Sequence, residues 1–533
     1  MASCHDAGQE SMMRRTSLAL LLAAASALPA TAQTLTMGAG APSTSLDPHF
    51  FNAAPNGSVA SHLFSRLVER DAQVRPQPGL AESWRAISAT VWEFKLRPGV
   101  KWHDGRDFTA DDVVFTFERA PNVPNSPGGF GGFLRMVDRV EVVDPLTLRI
   151  HTKAPHPLLP VDLSYIFIVS RHVGQGATTD DYNAGRATIG TGPYRLRAHM
   201  AGERVEFERN DTYWGPREPW ARATWRVIAN DSARTAALLA GDVDLIDQVP
   251  SSDLERLRRE SRVALHQIQG LRMIYLQADF SRDGNLPGVT DNAGQPIAAN
   301  PFRDLRVRRA LSIGINRPAL TERVMEGTAA PSGQWLPPGV YSYNPAVPPP
   351  AFDPEGAKRL LAEAGFPQGF RVTLTSPNDR YPNDARTAQA VAQMWSRIGI
   401  RTEVQALPWS SFSARASRQE FAMRLAGWGS STGEASYAAI NIMGTYNREQ
   451  RRGASNAGRY SNPALDTLVD RATATLDDGD RERVLHDVIK VAMDDVAVIP
   501  LFHLVNTWAT RRGMTYEARM DESTRAMAAR AAP

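Results

Sequence analysis

The sequence predicts an α/β protein built from two or more lobes, and three observations carry that prediction. The chain has 533 residues, more than a single hydrophobic core normally organises. Apolar alternation of period two and apolar stripes of helical period follow one another irregularly, the mixture expected of sheets covered by helices. Its one cysteine, Cys4, precedes an export signal. No disulfide or thiolate site is therefore left to hold a smaller fold together.

The N-terminus reads as that signal. Arg14-Arg15 precede the apolar run Leu18 to Ala25, and Ala30-Thr31-Ala32 supplies the small-residue cleavage site. The run is too short to span a bilayer, so residues 1–32 are expected to be removed and the chain exported. Net charge is +3, which offers no bulk attraction for nucleic acid. Only five of the 60 basic residues are lysines, at 95, 101, 153, 358 and 490. An arginine bias this uniform reflects genome composition rather than a phosphate-binding patch.

Along the chain, Thr90 to Leu96 places Trp92, Phe94 and Leu96 on one face, a half-buried strand. Arg97-Pro98-Gly99 turns it into Val100 to His103, which reads as the return strand of a hairpin. Thr109 to Asp112 reads as a capping box opening a helix from Asp111 to Arg119. Val140–Val143 and Leu146–Ile150, joined at Asp144-Pro145, form a second hairpin. Leu271 to Leu276 is strand-like, and the Gly-, Pro- and Asn-rich stretch 281–300 reads as a surface loop. Later segments are helical: Leu360, Leu361 and Ala364 after the cap Asp353, then Ala388, Val391, Trp395 and Ile398 ending at Gly399. Two more stripes follow, Leu465 to Ala472 and Val484 to Ala492.

Residues with chemistry are sparse. The eleven histidines show no H-E-x-x-H or other tight metal spacing, and no phosphate-binding Gly-rich loop follows a strand. No metal or cofactor is implied. Gly429-Ser430-Ser431-Thr432-Gly433 does match the G-x-S-x-G nucleophile elbow. Glu420 to Ala426 would be its strand and Glu434 to Met443 its helix. Against an exported serine hydrolase, Arg424 sits mid-strand where such a strand is buried on both faces. Only His486 and His503 remain downstream to act as base.

A long ordered series of segments resembles family 5 of the extracytoplasmic solute-binding proteins, the peptide- and nickel-type receptors of ABC importers. It runs from Gly79-Leu80-Ala81-Glu82-Ser83-Trp84 through Arg97 to Gly105 and Phe108 to Val113. It continues with Gly190-Thr191-Gly192-Pro193-Tyr194, Asn210-Asp211, Tyr213-Trp214-Gly215 and Gly241 to Asp244. Arg303 to Ser312 and Tyr460-Ser461-Asn462-Pro463 complete it. Most of these residues read as packing and turns.

The resemblance implies a two-lobed periplasmic-binding-protein clamp, type II-like, with an extra subdomain in the large lobe. Residues 33–268 would form the large lobe, 269–504 the second, and 505–533 a return to the first, with two strands as hinge. The solute would be a peptide or peptide-like compound, handed to membrane permease subunits by a monomeric, non-enzymatic, periplasmic receptor. An opine, a glutathione-like compound or a metallophore complex is the alternative cargo. The family's cleft wall corresponds to Gly427-Trp428, and its carboxylate-binding pair to Arg380 and Tyr381. Asp47, before Pro48, falls on the rim loop, and Trp409 and Trp335 are further aromatic candidates. Peptide-binding relatives place an ammonium-binding Asp three residues after the Trp. Here that position is Ser431, and Glu434 is the nearest replacement carboxylate.

Overall fold

The computed structural model describes residues 34–430, 432–450 and 452–532. The export signal lies outside them. A twelve-stranded mixed sheet runs through the molecule, and its two central members are its longest strands, Val263–Ala278 and Ile499–Arg511. They pair antiparallel from Val263↔Arg511 to Leu276↔Ile499, with a register shift between Gln269 and Met273. On one side the sheet continues through Leu245–Ile246, Thr34–Ala39, Arg222–Val227, Arg204–Arg209 and Tyr194–Met200. On the other it continues through Met423–Gly429, Arg371–Pro377 and Val289–Thr290.

Each half buries its own core. Leu35, Met37, Phe64, Tyr182, Phe207 and Trp225 pack on the Thr34 side. Leu276, Leu311, Leu374, Trp395, Leu425 and Phe502 pack on the other. A separate four-stranded antiparallel sheet, ordered Ala81–Ser88, Val91–Leu96, Thr147–Thr152, Val137–Asp144, closes over the helix Ala110–Arg119 and forms a third core around Phe94, Trp102, Val113 and Ile150. The molecule is a two-lobed α/β clamp with this sheet as the added subdomain.

The local signals hold where chain-neighbour chemistry decides them. The Asp112 carboxylate accepts the Thr109 amide at 3.0 Å and opens the helix Ala110–Arg119. The Asp353 carboxylate accepts the Gly356 amide at 2.8 Å, and Gly365 and Gly399 end their helices with φ of 89° and 90°. The helices Asp384–Ser396, Pro463–Ala474 and Asp478–Asp494 bury the expected stripes.

One expectation is corrected. Val100 to His103 is not the return strand of a hairpin, because both edges of Val91–Leu96 are taken by Ala81–Ser88 and Thr147–Thr152. Val100 and Trp102 instead turn into the subdomain core. The glycines of Gly190-Thr191-Gly192 let that segment lie against the preceding chain: a Cβ at Gly190 would overlap the Leu63 carbonyl.

His503 lies fully buried on the second central strand. Its Nε2–H donates to the Trp335 carbonyl at 3.1 Å, and burial pushes its pKa down to about 4 from 6.5. Below pH 6.5 the unfolded chain binds a proton that the folded chain refuses, so this contribution to stability falls as pH drops from 6.5 toward 4. A non-titrating His503→Gln variant should therefore gain about 2–3 kcal/mol relative to the parent between pH 7 and pH 4.5. Urea melts of both proteins at the two pH values test this. Parallel shifts would show that His503 takes up its proton in the folded state.

Candidate functional site

The two lobes enclose a cavity of about 540 Å³. One wall comes from the large lobe: the loop Pro48 to Ala54, the aromatics Phe130, Tyr165 and Phe167, the arginines 66 and 70, and the tail segment Met520 to Arg525. The other comes from the second lobe: Arg272, Arg380, Tyr381, Trp409 and the strand end Gly427 to Ser430. A second cavity of about 670 Å³ adjoins it, sharing Ala54, Arg272, Arg380, Tyr381 and Glu522 and running along the hinge at Asn506 to Trp508. Beyond the first cavity the lobes touch. Val74 stands against Gly433, and Arg75 donates to the Gly339 carbonyl at 2.7 Å.

The strand Met423–Gly429 presents its end to the cavity for a simple reason. It pairs along its whole length with Val263–Ala278, from Met423↔Ala278 to Gly429↔Arg272. Its pairing with Arg371–Pro377 stops at Arg424. Gly427 to Gly429 thus keep one edge free of strand partners on the cavity side. Gly427 has no room for a side chain, since a Cβ would come within 2.7 Å of both Ile274 and Tyr381. The Tyr381 hydroxyl donates to the Gly427 carbonyl at 3.1 Å and ties the two expected site segments together.

Trp428 packs at 5.4 Å from Tyr437, and its indole N–H is buried without a hydrogen-bond partner among the described residues. Arg380 is exposed, with its guanidinium 5.3 Å from the rings of both Tyr381 and Trp409. It has no ion pair among the described residues. Trp409 lines the cavity, whereas Trp335 is wholly core.

The structure gives two expected site carboxylates other places. Glu434 is buried and does not line either cavity. It caps the short helix Ala435–Ala438, accepting from the amides of Ser436 and Tyr437, and pairs with Arg481 at 2.8 Å. Every donor it meets is internal, so its carboxylate is turned away from the cleft. Asp47 is likewise buried. Arg119 holds it through two hydrogen bonds of 2.9 and 2.7 Å, and Thr179 donates at 2.8 Å. Its pKa lies below the usual value despite burial, because the guanidinium beside it and the His49 amide favour the charged form. Asp47 fixes the loop whose next residues, Pro48 to Ala54, line the cleft. Ser431 lies outside the described residues.

These features sit in a chain whose relatives are recognisable. The sequence profile of bacterial extracellular solute-binding proteins, family 5, matches residues 75–450. The chain belongs to that family. This solute-binding protein is 28% identical over 476 residues to heme-binding protein A of Haemophilus influenzae, covering 84% of this chain and 82% of the relative. It is 27% identical over 479 residues to the dipeptide-binding protein of Escherichia coli, covering 85% of each. The solved structure of HbpA2 from Haemophilus parasuis superposes with a TM-score of 0.82 at 24% identity, over 93% of this chain and 99% of that one. The family consists of binding proteins rather than enzymes.

Within this solute-binding protein, the cavity contains charged groups that sequence reasoning missed: Arg66, Arg70, Arg525, Asp521 and Glu522, beside Arg272. With Arg380, five arginines line the cavity beside two carboxylates. Nothing in the local sequence marks them: Arg70 ends the three-residue strand Val68–Arg70, Arg66 lies just before it, and Arg525 lies near the chain end.

Proposed function

We propose that this chain is the periplasmic receptor of an ABC importer and that it captures peptides or peptide-like solutes by closing its two lobes on them. The observation that carries the reading is the strand edge Gly427 to Gly429, free of a second strand partner and facing the cavity between the lobes with Trp428 in its middle. An extended peptide backbone is the ligand that pairs with such an edge, and an indole face supplies the adjoining apolar contact. The dipeptide-binding relative supports it.

Gly427, Trp428, Tyr381 and Arg380 are then ligand-contacting residues. Ser431, in place of a carboxylate, leaves the ligand's ammonium without its family partner. The large lobe is residues 33–268 with the return 505–533, and the second lobe is 269–504. Pairing of Ile268 with Asn506 and Gln269 with Val505, just before the register shift, supports a hinge at those boundaries. Closure over the solute is a hinge motion, and the closed form is the one presented to the permease. The receptor acts as a monomer, has no enzymatic activity and does not bind nucleic acid. Its leader 1–32 is cleaved on export.

The test is titration of the purified mature chain with pools of di- to tetrapeptides, read by tryptophan fluorescence and calorimetry. We expect saturable binding in the micromolar range, about −8 kcal/mol. Absence of binding to every pool, with a non-peptide solute found by native mass spectrometry of protein purified from its host, would overturn the peptide reading.

A further inference from the structure

The large-lobe wall of the cleft carries more positive charge than it neutralises. Asp521 is the one carboxylate shared by three guanidinium groups: Arg519 at 3.1 Å, Arg525 at 3.6 Å and Arg70 at 3.7 Å. Glu69 takes Arg66 at 3.0 Å. Four cations therefore stand against two anions.

The four are not equivalent. Arg519 is fully used: it donates to both Asp521 oxygens, to Ser523 Oγ at 3.0 Å and to the backbone carbonyls of Arg70 and Asp71. It belongs to the scaffold and does not line the cavity. Arg66, Arg70 and Arg525 do line it. Each has a buried Nε–H without a hydrogen-bond partner among the described residues. The Arg525 side chain is 10% exposed, and its nearest carboxylate oxygen, at 3.6 Å, is beyond hydrogen-bond reach.

Burying a guanidinium with its donors unused is costly unless something compensates. Asp521, already bound by Arg519, reaches Arg70 and Arg525 only at 3.7 and 3.6 Å, beyond hydrogen-bond distance, and both arginines line the cavity. Burial and the neighbouring Arg519 hold Arg525 down at about 9, as expected of a cation short of counter-charge. Tyr165 lies under Arg70 at 4.2 Å and also accepts a hydrogen bond from it, which with Asp521 favours the charged guanidinium despite burial, and Phe167 lies under Arg66 at 3.7 Å. These rings hold the two guanidinium planes in place without neutralising them.

We propose that Arg70 and Arg525, backed by Arg66, form a receptor for a carboxylate of the ligand on the large-lobe wall, so that the solute is an acidic peptide-like compound. This rests on the peptide reading above. It adds a second anchoring point across the cleft from Arg380 and Trp428. A planar guanidinium pair suits a carboxylate because each presents parallel N–H donors at the spacing of its two oxygens.

Calorimetry with Ala-Glu-Ala, Ala-Gln-Ala and the C-terminal amide of each tests the proposal. We expect the parent to bind at least one free-acid form more tightly than its neutral counterpart, on the order of 10- to 100-fold, the range of a charge-assisted hydrogen bond. The Glu/Gln ratio reports a side-chain carboxylate and the acid/amide ratio a C-terminal one. Arg525→Gln, or Arg70→Gln if the first does not fold, should bring the ratio concerned to about one. Ratios near one in the parent, or a preference that survives both substitutions, would overturn the receptor while leaving the peptide reading intact. If no peptide binds, the peptide reading fails by itself. The receptor is then judged by thermal shift with glutarate against chloride at matched ionic strength. Stabilisation of the parent that is lost in Arg525→Gln supports it, and no stabilisation overturns it.

Discussion

Arg481→Met should cost about 3–5 kcal/mol of stability, the usual penalty for stripping one partner from a buried ion pair. Arg481 and Glu434 meet at 2.8 Å with side-chain exposures of 3% and 2%. Arg481 also donates to the Ala472 carbonyl at 3.1 Å, so it joins the helix Pro463–Ala474 to the helix cap after the cleft strand. Without the guanidinium, Glu434 would keep its hydrogen bonds from Ser436 and Thr432 but lose its counter-charge.

Urea denaturation should show a lower midpoint with an unchanged slope. The pair Glu434→Leu with Arg481→Met should lie much closer to the parent, since removing both charges leaves nothing uncompensated. Ligand affinity of the folded Arg481 variant should change little. A Glu434→Gln protein as stable as the parent but selectively weakened toward cationic peptides would restore Glu434 as a ligand anchor.

Trp428→Ala should weaken solute binding on the order of 10- to 100-fold, the scale of a central aromatic hot spot. Two losses combine in it. The indole face is removed from the cavity wall, and so is an N–H that is buried without a protein partner. Such a donor carries a cost of about 1–3 kcal/mol until something accepts from it, and in the proposed peptide reading a ligand carbonyl would do so. Trp428→Phe separates the contributions: it keeps an aromatic face and lacks the donor, so its affinity should fall between parent and Ala. Isothermal titration with the tightest peptide found, alongside melting curves to confirm folding, measures both. Parent-like affinity in Trp428→Ala would remove the indole from the site.

Part of the cavity wall was legible in the sequence. Gly427, Trp428, Arg380 and Tyr381 belong to segments whose resemblance to the family is carried by order along the chain, and the structure gathers all four at one cavity. Glu434 shows where that reading failed. Six residues after Trp428 it is the nearest carboxylate in sequence, yet the chain turns at Gly433, with φ of 64°, and points it into the protein. Its partner is 47 residues away. Asp47 failed for the same reason: its partner Arg119 comes from another helix and draws the carboxylate inward.

By itself the sequence determined what depends on neighbours in the chain. Helix caps, apolar periods and the ordered family segments all arise from residues a few positions apart, where backbone hydrogen bonding and side-chain spacing leave few options. The tertiary structure alone decided which charges face the solute. Arg70 and Arg525 come together from opposite ends of the chain, and Arg519 reaches the Arg70 carbonyl across 449 residues. Whether an arginine is neutralised, buried or left facing a cavity depends on such distant partners, and no local pattern encodes them. The serine motif at Gly429 to Gly433 follows the same rule: its neighbour Trp428 gained meaning from the strand edge beside it, which exists only because pairing with Arg371–Pro377 stops at Arg424.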